Sequence, residues 1–284
     1  MRRTVAALAV ALSLPVLALT PAYAQPALEA LSTGVDGRGW EGVGRLDIGG
    51  NSFCTGSLIR EDVVLTAAHC VMDTASGQPV PASEINFLAG WRNGRADSYR
   101  KVRRTVVSPT FQGRPDGTVM VPGDLAILEL ERPIRNGRTL PFLTGGMPRQ
   151  GTRIGIVSYA RGRSEAPSLQ AGCTALRTGG DMMVTDCEAD FGASGSPIFD
   201  LSGVQARIVS VVSAKAVDGD SSIALGAGLG AVLDGLLAQL GRSTIDPPQL
   251  VSSTPARVVT LERARASSGA KFPPVQLRFS PPAA

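Results

Sequence analysis

Apolar residues along this chain come in short bursts separated by turn formers. They do not follow the three-to-four spacing of amphipathic helices. Between Trp40 and about Ile208 the clearest bursts are Val63-Val64-Leu65, Leu125 to Leu130, Arg153 to Tyr159 and Arg207 to Val212. Proline, glycine and polar clusters divide them, and runs of that length bounded in that way predict strands. The expectation is an all-β domain. A cluster of Pro141, Gly145, Gly146, Pro148 and Gly151 suggests an internal divide near residues 140–151.

The pattern changes toward the C-terminus. Ala227 to Leu240 is rich in alanine and leucine and predicts one short helix, with Gly241 as its stop. Over residues 244–284, Pro247-Pro248, Pro255, Pro273-Pro274 and Pro281-Pro282 alternate with serines and basic residues. That composition reads as a Pro/Ser-rich extension, in which only Arg257 to Leu261 looks able to pair as a strand. At the other end, Arg2-Arg3, the apolar stretch Val5 to Leu19 and the small-residue boundary Ala22-Tyr23-Ala24 read as a signal peptide over residues 1–24. Residues 25–35 then form an N-terminal segment. No later segment is long and apolar enough to span a bilayer, so stable membrane insertion is not expected and the location is secreted or periplasmic.

Hydrophobic residues make up 43% of the chain, enough for a core, which excludes the disordered and fibrous classes. The formal net charge of +4 comes mostly from scattered arginines. The run Arg100-Lys101-Val102-Arg103-Arg104 has no aromatic interleaving, so it reads as a solvated face and no nucleic-acid partner is expected. Cys54, Cys70, Cys173 and Cys187 in an exported chain imply two disulfides, with three pairings allowed and local pairing the simplest. Without a C-x-x-C pair or a second histidine, a metal site has little support, and no cofactor is expected.

Candidate chemistry centres on His69, the only histidine, in Leu65-Thr66-Ala67-Ala68-His69-Cys70. Gly123-Asp124-Leu125-Ala126 places an aspartate at the mouth of an apolar strand, and Gly192-Ala193-Ser194-Gly195-Ser196-Pro197 exposes a serine on a glycine turn. Each segment alone is an ordinary strand entry or turn. The order His69, Asp124, Ser194 excludes an α/β-hydrolase, where the histidine follows the serine. Over about residues 36–243 these motifs and the Cys54 segment resemble the trypsin-like (chymotrypsin-superfamily) serine proteases. The Gly-x-Ser-Gly-Ser-Pro form, with Asp186-Cys187-Glu188 upstream, is most similar to the bacterial V8-like, or glutamyl endopeptidase, branch.

The resemblance implies two packed six-stranded β-barrels with a cleft between them and a Cys54–Cys70 disulfide, Cys173–Cys187 being the remaining pair. It implies acyl transfer on a protein or peptide substrate, with Ser194 as nucleophile, His69 as general base and acid, and Asp124 orienting the imidazole. The oxyanion would be held by the N–H groups of Gly192 and Ser194. Ala193 departs from the animal pattern, since it stands where an aspartate captures a newly cut N-terminus during zymogen activation. With His69 committed, the histidine that reads glutamate in the V8-like branch has no counterpart.

For the substrate pocket, Glu188 lies at the offset of the acid that reads lysine or arginine, and Ser210 and Val212 lie on a strand similar to the groove-lining one. A valine there would narrow the entrance and favour small residues, whereas Glu188 favours basic ones. The competing reading is a catalytically inactive homologue acting as a binding or envelope protein. An intact His69, Asp124 and Ser194 speaks against it. Oligomeric state is not legible.

Overall fold

In the first half of the chain, strands alternate one face inward and close on themselves. The computed structural model describes residues 27–113, 120–218, 221–242, 260–262 and 276–278. The expected signal peptide therefore lies outside the described residues, as does most of the C-terminal extension. Strands β2 (Val43–Ile48), β3 (Ser52–Arg60), β4 (Val63–Thr66), β5 (Ile85–Ala89), β6 (Ser98–Val107) and β7 (Ala126–Leu130) form a closed antiparallel barrel in the order β2-β3-β4-β7-β6-β5. Its interior is packed by Leu46, Leu58, Val64, Phe87 and Leu128, all fully buried. Gly44 makes room for this packing: a Cβ there would overlap the Phe87 ring.

The second half repeats the architecture. After β8 (Leu143–Thr144) come β9 (Arg153–Ala160), β10 (Arg163–Gly179), β11 (Met182–Thr185), β12 (Pro197–Asp200), β13 (Arg207–Asp218) and β14 (Ser221–Gly228). The sheet runs β10-β11-β14-β13-β12-β9, and pairing of β9 with β10 closes it into a second six-stranded barrel. The expected all-β fold with two such barrels is what the chain forms, and the four apolar bursts fall in β4, β7, β9 and β13, with Leu125 one residue before β7. A short N-terminal strand, β1 (Leu28–Ala30), pairs antiparallel with Ser168–Gln170 of β10 from outside the barrel, and Leu31 follows it into the core. Strand β8 pairs in parallel with β13, so the linking segment between the barrels contributes to the second sheet.

The barrels are joined by an aromatic cluster. Trp40, Phe142 and Phe199 come from the stretch just before β2, the linking segment and β12, and their ring centroids lie 4.9–6.1 Å apart. The Phe199 contacts are edge-to-face, a geometry that adds about 1 kcal/mol per pair beyond burial. Both disulfides form as Cys54–Cys70 and Cys173–Cys187.

One helix, α1 (Gly230–Arg242), follows β14. Its start corrects the expectation of a helix from Ala227. Ala227 is buried and pairs in register with Met182 and Val211, so this small apolar stretch finishes a strand first. Gly241 lies within the last helical turn and does not stop the helix. The basic run on β6 is anchored at several points: Arg103 and Arg104 both pair with Glu129, and Arg104 also donates to the Leu240 carbonyl of the helix at 2.9 Å. In the tail, Thr260–Glu262 pairs antiparallel with Gln276–Arg278.

Candidate active site

His69 sits in a one-turn 3-10 segment, Ala68–Val71, where β4 leaves the first barrel. The Cys54–Cys70 disulfide ties that turn to β3. Asp124 precedes β7, the strand paired with β4, so barrel closure brings the two residues together. His69 Nδ1 lies 2.7 Å from Asp124 Oδ2, and the His69 backbone N–H donates to Asp124 Oδ1 at 2.9 Å. Asp124 is fully buried, and a buried carboxylate requires several donors. A third comes from the second barrel: Ser213 Oγ donates to Asp124 Oδ2 at 2.5 Å. With its proton on Nδ1 the ring donates to Asp124, leaving Nε2 as an acceptor.

Ser213 was not among the residues singled out from sequence. It lies at a register break in β13 between Val212 and Ala214, and the bulge upsets the strict alternation of faces. Ser210 and Val212, expected to line a pocket, are both buried. Ser210 Oγ donates to the Ala227 carbonyl at 2.8 Å, and Val212 packs in the core of the second barrel. Val212 has a different use through its backbone. Its carbonyl accepts from Gly195 N–H at 2.8 Å and its N–H donates to the Ser196 carbonyl at 2.9 Å.

Those bonds hold the loop that carries Ser194. Gly192 and Gly195 have φ of +94° and +77°, a region that favours glycine. Gly195 packs directly under the His69 turn: a Cβ at that position would overlap Thr66 Oγ1 and the Thr55 carbonyl. The Thr55 N–H donates to the Ser194 carbonyl at 2.9 Å. Ser194 is thus placed against the segment that leads into His69. Ala193 is buried, and its N–H donates to the Asp190 carbonyl at 2.9 Å.

The loop's outer rim is charged. Phe191 is 59% exposed, with Arg161 Cζ 4.6 Å and Lys215 Nζ 4.9 Å from its ring centroid. Asp190, accepting the Phe191 N–H and facing Lys215, titrates below the usual carboxylate range. Glu188 is half-buried and its N–H donates to Gln170 Oε1 at 2.8 Å. It also faces Arg163, whose guanidinium is weakened as a base by burial and supported by Asp190 and Glu188. Cys54, His69 and Cys70 lie close enough to suggest a metal cluster, yet both sulfurs are consumed in the disulfide. A surface hollow of about 390 Å³ on the first barrel, lined by Tyr99, Arg100 and Arg132 among others, includes none of the residues around His69.

Comparison with known proteins gives a consistent outcome. Residues 54–205 match the family described as Trypsin-like peptidase domain. Human cathepsin G is 29% identical over 132 residues, 45% of this chain and 46% of that protein. The cercarial protease of Schistosoma mansoni is 24% identical over 159 residues, 52% of this chain and 57% of that protein. The chain thus spans about half the length of these curated relatives. Among solved structures, a Glu endopeptidase in complex with MPD superposes with a TM-score of 0.62 at 19% identity, covering 78% of this chain and 98% of that one. A thermostable serine protease AL20 from an extremophilic microorganism gives 0.58 at 17% identity, covering 72% and 98%. At these identities the likeness shows the fold.

Proposed function

The chain belongs to the trypsin-like peptidase domain family, and on that premise we propose that it is an exported serine endopeptidase working through Ser194, His69 and Asp124. The observation that carries this reading is the fully buried Asp124, bonded to both the ring and the backbone of the only histidine. A purely structural aspartate has no need to orient an imidazole whose other nitrogen is left as an acceptor.

In the proposed reaction, Ser194 Oγ attacks the scissile carbonyl carbon while its proton passes to His69 Nε2. The carbonyl electron pair moves onto oxygen, and the N–H groups of Gly192 and Ser194 stabilise that charge. As the C–N bond breaks, the imidazolium gives its proton to the leaving amine. Water then attacks the acyl-enzyme by the same route, giving its proton to His69, and as the ester C–O bond breaks His69 returns that proton to Ser194 Oγ, releasing the carboxylic acid product. Asp124 stabilises the imidazolium in both halves without taking the proton. Export is supported by the two disulfides, which persist in oxidising compartments. The test is hydrolysis of a denatured protein mixture by the mature form starting at Gln25. Cleavage that Ser194→Ala abolishes is expected, while cleavage that survives this change would assign it to other residues.

Ala193 bears on activation. An ion pair between a new α-amino group and a carboxylate at this position cannot form, and Ala193 lies buried beside the Ser194 turn. The expected result is that protein starting at Gln25 is active and that acetylating its α-amino group leaves kcat/KM unchanged. Activity appearing only after trimming toward Val35 or Trp40, and lost on acetylation, would contradict this. Trimming past Ala30 also removes β1 from β10, so the trimmed forms should be less stable.

A further inference from the structure

We infer that Thr55 is a positioning residue that holds the oxyanion donors in place, an inference that rests on the proteolytic reading above. Thr55 lies on β3 of the first barrel and is fully buried, yet it is bonded on every polar atom. Its Oγ1–H donates to the Gly192 carbonyl at 3.0 Å, and the alternative acceptor, the Tyr159 carbonyl, is farther away at 3.4 Å. The same oxygen accepts the Tyr159 N–H at 3.0 Å. Its backbone N–H donates to the Ser194 carbonyl at 2.9 Å, and its own carbonyl accepts from Thr66 Oγ1, also at 2.9 Å. One residue therefore grips the carbonyls of Gly192 and Ser194, the two residues whose N–H groups would receive the oxyanion. It also ties them to Thr66, three positions before His69.

Peptide planarity converts this grip into orientation. The Gly192 carbonyl belongs to the peptide unit between the two donors, so anchoring its oxygen restricts ψ of Gly192 and φ of Ala193 together. An anchor is needed because Gly192, at φ +94° and without a Cβ, has little intrinsic resistance to rotation. Ala193 supplies no carboxylate to brace the turn. A neutral hydroxyl held by the Tyr159 N–H does so from the opposite barrel, which makes the donor geometry a property of barrel packing rather than of a processed terminus. Oxyanion stabilisation depends on donors fixed before the charge develops, so a loosened peptide lowers turnover more than it lowers substrate binding.

The test compares Thr55→Ser, Thr55→Ala and Thr55→Val, with kcat expressed per titrated active site. Thr55→Ser keeps the hydroxyl and should keep kcat within about threefold. Thr55→Ala and Thr55→Val should lose roughly ten- to a hundredfold in kcat on a peptide anilide, with KM within about twofold. Affinity for a peptide aldehyde, whose adduct places an oxyanion in the same site, should fall by the same factor as kcat. Should Thr55→Val not fold, the Ser and Ala variants differ by a single oxygen and make the comparison alone. Equal kcat and aldehyde affinity in those two, even with unequal thermal stability, would overturn the inference by reducing Thr55 to a structural residue. Wild-type protein without hydrolysis would instead overturn the proteolytic reading.

Discussion

Asp124→Asn should yield a folded protein with kcat lower by about 10⁴-fold. The reason lies in the three bonds that Asp124 receives. Its Oδ1 accepts the His69 backbone N–H, while its Oδ2 faces His69 Nδ1 and the Ser213 hydroxyl. In asparagine one of these oxygens becomes an NH2 donor. That donor cannot face the backbone N–H, so it turns toward Nδ1 and gives a hydrogen bond to the ring. The imidazole proton then moves to Nε2, and Nε2 loses the lone pair that must accept the Ser194 proton. The Ser213 hydroxyl can rotate to remain bonded, which is why the fold survives. Turnover measured beside far-UV circular dichroism checks both halves. Retention of most activity would move the acid role to another residue. Asp97 is poorly suited to it, being bonded to Arg92 at 2.8 Å and facing Arg138 at 3.5 Å.

Gly195→Ala should be the most damaging glycine-to-alanine change among the described residues. The backbone there has φ +77°, and the new Cβ would overlap Thr66 Oγ1 and the Thr55 carbonyl. The carbonyl belongs to a barrel strand and cannot swing aside, so the Ser194 turn must lift away from the His69 turn. We expect a stability loss on the order of 3 kcal/mol or more from strain and overlap together. In the fraction that folds, turnover should fall by at least about a hundredfold, since displacement of about 1 Å costs that much. Gly94→Ala is the matched comparison. Its φ of +83° is similar, but nothing beyond its own chain neighbours lies within 4 Å of its added methyl, so only the backbone penalty of about 1–2 kcal/mol remains. Unfolding free energies from urea titration of the two variants within about 0.5 kcal/mol of each other would show that the packing of Gly195 under Thr55 has no energetic weight.

Much of the architecture was legible because it rests on local signals. Val63-Val64-Leu65, Leu125 to Leu130 and the other apolar bursts are strands because their lengths and bounding turns admit little else. The motif residues were legible because a lone histidine, a strand-entry aspartate and a glycine-flanked serine are each visible in sequence. What escaped depends on register and on contacts between barrels. Ser213 lies three residues from Ser210 in one apolar strand, and period-two reasoning cannot tell which serine reaches Asp124 once a bulge intervenes. Val212, read as a pocket wall, is a core side chain whose backbone holds the Ser194 loop. Thr55 looks like any strand threonine, since its partners Tyr159, Gly192 and Ser194 lie more than a hundred residues away. The helix start was misplaced because Ala227 and its small apolar neighbours satisfy a helical composition while pairing as a strand.

The central claim is that Ser194 is an activated nucleophile, and covalent labelling by a fluorophosphonate probe tests it most directly. A serine without a base does not react at useful rates, so stoichiometric labelling reports the whole His69–Ser194 arrangement independently of any substrate preference. The predicted result is one adduct per chain, mapped by peptide mass to Ser194, strongly slowed by Asp124→Asn and absent in Ser194→Ala. Folded wild-type protein that takes up no probe, or takes it up equally with Ser194→Ala, would contradict the account and favour a protease-like fold used for binding.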